Sequence, residues 1–311
     1  MSFTTEVKNE IASLDFTSLE VLPFLSGFVR NNIKSLDKDI LLTTENPKIA
    51  RIILSLLKST YDISPILEQS NGTNFNKKKL YTIKILEKKE EILKDLNVCD
   101  SSSNYLNYPK EYLIDSEDQI RSYLRGVFLE NGSINDPKTS KYHLEFLVSR
   151  KEETDLIIKL LSTFNITAKS ITREKGYMVY LKEAEKIGDF LRVLSANKSV
   201  MYFEDIRIYR DHKNMTNRLN NCEQANVDKI IATSEKQIKE INFLIDKLGL
   251  DLIDEKLKVV MEYRRKYKEV SLDELAKIIS IETEKNLTKS GLNHRFRKIH
   301  EMVENIKKNN N

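Results

Sequence analysis

Lys289, Ser290, Asn293, His294, Arg295, Arg297 and Lys298 lie close together near the carboxyl end, and no Asp or Glu falls between Lys285 and Lys298. Arg can pair with the edge of guanine and Asn with that of adenine, so such a set can read bases. Lys289, Ser290 and the first N–H groups of a helix starting there suit phosphates. The spacing sets where these groups point. Leu292, Phe296, Ile299 and Val303 recur at i, i+4, i+7 and i+11, one apolar helical stripe. Asn293, His294, Arg297 and Lys298 are thereby turned away from the core. The seven residues from Lys289 to Lys298 are the candidate DNA-binding set. A solvated basic helix in an ordinary bundle shows the same spacing and stays open on this pattern alone.

The elements that must position this helix are legible just ahead of it. Residues 256 to 267 have helical spacing, and Ser271-Leu-Asp-Glu274 is a capping box opening a helix with Leu272, Leu275, Ala276 and Ile279 on one face. Two short helices, the second basic, match a helix-turn-helix motif over about residues 271–304 of a domain spanning 251–311. Upstream, residues 226 to 248 carry Ile230, Ile231, Ile238, Ile241 and Leu244, a helix closed by Gly249. Residues 207 to 226 are polar, rich in Arg and Asn, and lack clean periodicity. Residues 201–250 therefore read as an extended connector followed by a linker helix.

The front of the chain, residues 1–200, is duplicated. Phe24-Leu-Ser-Gly27-Phe-Val-Arg-Asn-Asn32 matches Tyr123-Leu-Arg-Gly126-Val-Phe-Leu-Glu-Asn131 in pattern. A strand-like stretch follows each, at residues 39–44 and 142–148. Next comes a helix, with Asn46 and Pro47 as N-cap and first helical residue in one half and Leu156, Ile157, Leu160 and Leu161 in the other. Two strands flanking a turn (at Asn71-Gly72 and at Lys175-Gly176) and a closing helix complete each half. The expected order is αββαββα twice, over about 15–97 and 112–196, joined by a Ser- and Asn-rich linker from Asp100 to Tyr108. The fold class is α+β with an all-α carboxyl-terminal domain.

Composition bounds the rest. With 311 residues, 40% apolar, 32% charged and a net charge of +4, the chain has the make-up of a two-domain globular protein. No apolar run approaches the ~18 residues of a membrane span, and the first residues lack a signal-peptide pattern. Cys99 and Cys222 read as buried free thiols of a cytoplasmic protein. His143 and His212 lack metal-ligand neighbours and read as packing or hydrogen-bonding residues. No metal site and no cofactor are expected.

Thr288-Lys-Ser-Gly-Leu-Asn-His-Arg-Phe-Arg-Lys-Ile299 resembles the end signature of the WhiA family of bacterial regulators. Residues 125–137 with Tyr142-His-Leu-Glu145 resemble that family's middle motif, and Asn217-Arg-Leu-Asn-Asn-Cys222 with Ala225-Asn226 its connector. The similarity runs from Ser2 to Val303. It implies a degenerate homing-endonuclease domain of the LAGLIDADG type joined to a helix-turn-helix resembling a sigma-factor DNA-binding region. It further implies a nucleoid-associated partner of double-stranded DNA and work in cell division, chromosome segregation and, in sporulating bacteria, sporulation. For the front domain, retained phosphate contact with DNA, a regulatory protein partner and a plain scaffold for the helix-turn-helix stay open. In LAGLIDADG enzymes two motif helices pack through small residues, and each ends in a carboxylate that holds divalent metal. Gly27 and Gly126 keep the small residues. The acidic positions align with Asn32 and Asn131, whose amides bind metal weakly and cannot act as bases. These are the lost catalytic positions, and no catalytic residue is assigned. Glu130 sits one residue early, a turn of about 100°, and is expected not to substitute; Arg30 is expected to repel a metal. The expected function is a non-enzymatic transcriptional regulator. An active homing endonuclease and a protein-interaction module without DNA readout stay open beside it.

Overall fold

Ser2 accepts a hydrogen bond from the Thr5 amide and caps α1 (Phe3–Ile11), whose Phe3, Val7 and Ile11 form a buried stripe at i, i+4 and i+8. This is the first element of a computed structural model that describes residues 1–33, 39–71, 79–139 and 141–309. The first half continues with α2 (Ser18–Asn32), β1 (Ile40–Thr44), α3 (Pro47–Tyr61), β2 (Ile66–Asn71), β3 (Lys79–Ile85) and α4 (Lys89–Asp95). The second comprises α5 (Glu117–Asn131), β4 (Gly132–Ile134), β5 (Leu144–Val148), α6 (Lys151–Thr163), β6 (Lys169–Arg173), β7 (Gly176–Leu181) and α7 (Ala184–Val193). The second half thus shows αββαββα in full. The first shows the same order without the strand that follows α2; residues 34–38 lie outside the described residues, as does the turn expected at Gly72. Both sheets are antiparallel, with strand orders β1-β3-β2 and β4-β5-β7-β6.

Local chemistry explains why the halves look alike. Glu20 accepts from the Thr17 amide at the start of α2, and Gln119 from the Ser116 amide at the start of α5. The Asn46 side chain caps α3 with Pro47 in its first turn. Both α4 and α7 end on a left-handed residue, Asn97 (φ 54°) and Ser195 (φ 59°). In each case a 6→1 bond follows, Val98 N to Leu93 O and Ala196 N to Leu191 O. The carbonyls left at these ends are claimed by matching positions of the motif helices. Ser26 Oγ donates to Leu96 O at 2.7 Å, and Arg125 Nε to Leu194 O at 3.1 Å.

The paired helices α2 and α5 are the centre of the front unit, Met1–Arg210. A Cβ on Gly27 would lie 2.2 Å from Tyr123 O, and one on Gly126 2.1 Å from Phe24 O. The backbones touch at two positions related by the duplication, which only glycine permits.

The second unit is Asp211–Asn311. One continuous helix, α8 (Asn197–Leu248), runs into it from the first, followed by α9 (Glu255–Lys266), α10 (Leu272–Thr283) and α11 (Lys289–Asn309). Gly249, at φ +76°, ends α8 as expected. The extended connector expected at 207–226 is instead helix. Its Asn content and missing apolar stripe argued against helix locally, but both of its ends continue helices that are packed. Ile241, Leu244, Leu257, Val260, Met261, Leu275, Ile279, Leu292, Phe296, Ile299 and Val303 form a separate buried core. Both cysteines are free thiols; Cys99 is buried, but Cys222 is exposed, because it sits on the uncovered part of α8. Among the described residues no helix is long and apolar enough to cross a membrane, and no three His, Cys, Asp or Glu side chains gather as a metal site.

Candidate nucleic-acid interface

The basic helix is held at its start by its own residues. Thr288 Oγ1 accepts from the Gly291 amide at 3.1 Å, making Thr288 the N-cap and Lys289 and Ser290 the first two helical residues. Their N–H groups fall among those a helix leaves unpaired, facing solvent. The turn before it is pinned by Ser280, whose hydroxyl accepts from Leu287 N at 2.9 Å and lies 2.8 Å and 3.1 Å from Ala276 O and Leu287 O. The capping box predicted for α10 is present, with Ser271 N donating to Glu274 at 2.9 Å and Glu274 N to Ser271 Oγ at 3.2 Å.

Two further ties set where α11 lies. His300 Nδ1 is 2.7 Å from Glu240 Oε1 on α8. Arg264, only 1% exposed, donates to Val270 O at 2.9 Å and Tyr267 O at 3.3 Å, with its guanidinium 5.7 Å from the Phe296 ring centroid. Among the described residues no carboxylate pairs with Arg264, and burial lowers its pKa. Its role is to lock the approach to α10 against the buried face of α11.

Of the seven candidates, Lys289, Ser290, Asn293, His294, Arg297 and Lys298 are exposed. Leu292, Phe296, Ile299 and Val303 are buried, so the stripe read from spacing is the packed face. Arg295 is half-buried and flanks that stripe. The free face therefore offers two guanidinium or ammonium groups, an amide, an imidazole and the helix start, with no acidic residue in the first turn.

At the foot of α2 and α5 lies a pocket of about 620 Å³, lined among others by Asn31, Asn32, Glu130, Asn131 and Arg150. The two aligned asparagines are both committed. Asn32 accepts from Thr43 N at 2.9 Å and donates to Thr43 O at 2.8 Å and to Glu130 Oε2 at 2.6 Å. Asn131 donates to Asn31 Oδ1 at 2.9 Å. Glu130 thus reaches the site after all, despite the offset of about 100° expected to remove it, because its longer side chain brings Oε2 to the Asn32 amide. It does so as the partner of an amide, beside Lys8, whose pKa burial lowers to about 8 against the pull of Glu130 and Glu45. One carboxylate already bonded to an amide and facing an ammonium does not fit a divalent ion.

Arg30 is near the site but does not act there as a bare charge. Buried, it pairs with Glu153 at 2.7 Å and donates to the carbonyls of Asn97, Leu106 and Asn107. Glu153 also takes Arg150 at 2.7 Å and the Tyr123 hydroxyl at 3.2 Å. Arg150 lies 3.5 Å from the Tyr105 ring centroid, and burial pushes the Tyr105 hydroxyl up to about 12. Local sequence could not single out Glu153, Tyr105 or Asn31, because their partners come from distant segments. His143 bonds Glu145 at 3.0 Å, the hydrogen-bonding role read for it.

Three domain models match in order along the chain: the WhiA N-terminal LAGLIDADG-like domain over residues 29–99, the WhiA LAGLIDADG-like domain over 120–213 and the WhiA C-terminal HTH domain over 216–303. Two relatives, each called probable cell division protein WhiA, come from Bacillus mycoides (strain KBAB4) and Bacillus cereus (strain G9842). Each is 39% identical over 313 aligned residues, taking in 99% of this chain and 98% of its own. This chain belongs to the WhiA family. Full-length DUF199/WhiA from Thermatoga maritima, at 24% identity, shares the fold with a TM-score of 0.58 over 98% of this chain and 99% of that one. The paired glycines and the two committed asparagines lie within or beside the WhiA LAGLIDADG-like domains. The WhiA HTH domain begins at residue 216, inside α8, so the later part of that helix goes with the helix-turn-helix.

Proposed function

We propose that this member of the WhiA family is a sequence-specific DNA-binding regulator of transcription without enzymatic activity, acting in cell division. Chromosome segregation, and sporulation where the cell sporulates, belong to the same proposal, as does a place at the nucleoid in the cytoplasm. The observation that carries it is the exposed face of α11, where Asn293, His294, Arg297 and Lys298 stand clear of the core behind the open helix start at Lys289 and Ser290. In this reading Arg297 and Asn293 meet base edges, Lys289, Ser290 and Lys298 meet phosphates, and half-buried Arg295 makes its contact from the flank of the helix. Asn32 and Asn131 stand at positions given over from catalysis to holding the helix feet together.

Gel shifts against duplexes selected by the full chain from a random library test this. Arg297→Ala is expected to weaken binding by about 1–3 kcal/mol, and Lys298→Ala to reduce the salt slope by about one. Unchanged affinity in both would remove α11 from the interface. Incubation of the same duplexes with Mg²⁺ or Mn²⁺ is expected to leave them intact; nicking abolished by Glu130→Gln would restore the nuclease reading.

For a protein partner the second sheet offers a surface. Leu147, Met178 and Ile171 stand in one cross-strand row, with Leu147 and Ile171 exposed. Pull-down with Leu147→Lys separates a partner held there from one tethered through DNA.

A further inference from the structure

The uncovered stretch of α8 is the largest feature that this reading leaves unused. Every residue from Asp211 to Lys229 is exposed, so more than five helical turns have nothing packed on any side. Such a helix must draw its stability from elsewhere, and its Asn residues (214, 217, 220, 221 and 226) are poor helix formers. Between His212 and Cys222 the charged residues are Lys213 and Arg218, with no Asp or Glu. At about 100° per residue, Asn214, Asn217, Arg218 and Asn221 fall within an arc of roughly 100°. None of these four side chains has a partner among the described residues. Met215 and Leu219 fall to the other side.

We infer that this Asn and Arg face of α8 is a second DNA-contacting surface, lying in or along a groove next to the site taken by α11. The inference rests on the chain being a DNA binder. Three acid-free turns with net charge +2 suit a phosphate-lined groove. Amide and guanidinium heads are the groups that bond adenine and guanine edges. A continuous helix crossing a groove is an established way of presenting them. The later part of this helix also belongs to the helix-turn-helix domain. A second copy of the chain is the poorer occupant: Met215, Leu219 and Cys222 fall far short of the ~800 Å² per partner that a stable interface needs.

The test is DNase footprinting and titration on duplexes of about four helical turns, on the order of 40 base pairs, selected by the full chain from a random library. It compares the native chain with Asn217→Ala/Arg218→Ala/Asn221→Ala and with Arg297→Ala. The triple variant keeps its far-UV circular dichroism, since alanine favours helix. It is expected to bind at least about tenfold more weakly. Its lost protection should fall on a segment beside the one Arg297→Ala exposes. Equal affinity and footprint in the triple variant overturn the α8 surface while leaving α11 in place. Failure of the native chain to select any duplex overturns both.

Discussion

Lys8 shows how a single residue can carry the history of a site. Its ammonium is half-buried at the feet of α2 and α5, 5.8 Å from the Phe128 ring centroid, and close enough to Glu130 and Glu45 to feel both. Burial outweighs that attraction, so the folded pKa of about 8 lies below the ordinary value of 10.5. Between these values the unfolded chain holds the proton that the folded chain has released. Stability therefore rises with pH from about 8 to 10.5, and the burden is full below 8. Lys8→Met should be more stable than the native chain at pH 7 by up to about 3 kcal/mol, at about 1.36 kcal/mol per unit, and so should unfold at a higher temperature. The gap should close as pH approaches 10.5. Paired thermal melts across that range decide it, and a gap that stays constant with pH would show that Lys8 is not held in this way.

Among the elements, the contact between α2 and α5 is the most sharply defined, because backbone meets backbone at Gly27 and Gly126. Gly126→Ala puts a methyl 2.1 Å from Phe24 O and 2.8 Å from Phe28 N, atoms that cannot step aside without moving the helix. The expected loss is about 2–3 kcal/mol or more, read by urea unfolding; a loss below 0.5 kcal/mol would mean that the helices part easily. This contact joins residues about a hundred positions apart and was expected only through the LAGLIDADG resemblance of the repeated Leu-x-Gly motif. The Ser271 capping box and the Asn46-Pro47 start were readable directly, since each depends on neighbours in sequence. Helix α1 was not anticipated, although Ser2 followed by Phe3, Val7 and Ile11 holds the signal. Residues 207–226 misled because local propensity opposes a helix that chain continuity imposes. At the site, the free face of α11 was legible from its apolar stripe. The Glu153 cluster was not, because Arg30 lies 123 residues from its carboxylate.

At the scale of the whole molecule, two hydrophobic cores share one chain: Phe24, Phe128, Phe146 and Phe190 belong to one, Leu257, Leu275, Phe296 and Ile299 to the other. Each unit closes its own core, so calorimetry should resolve two unfolding transitions rather than one cooperative event. Gly126→Ala then lowers the transition of the front unit and leaves the second where it was. DNA does the reverse. A ligand bound only by the folded form of one unit stabilises that unit by RT ln(1 + [L]/Kd), about 2.7 kcal/mol at a hundredfold excess over Kd. A selected duplex should raise the transition of the unit holding α11 and the exposed turns of α8, and Arg297→Ala should cancel most of that rise. If the duplex instead raises both transitions equally, the front unit holds DNA too, and the sheets beside α2 and α5 join the interface. A rise confined to the front unit would place DNA on the old nuclease scaffold and take α11 out of the role assigned to it.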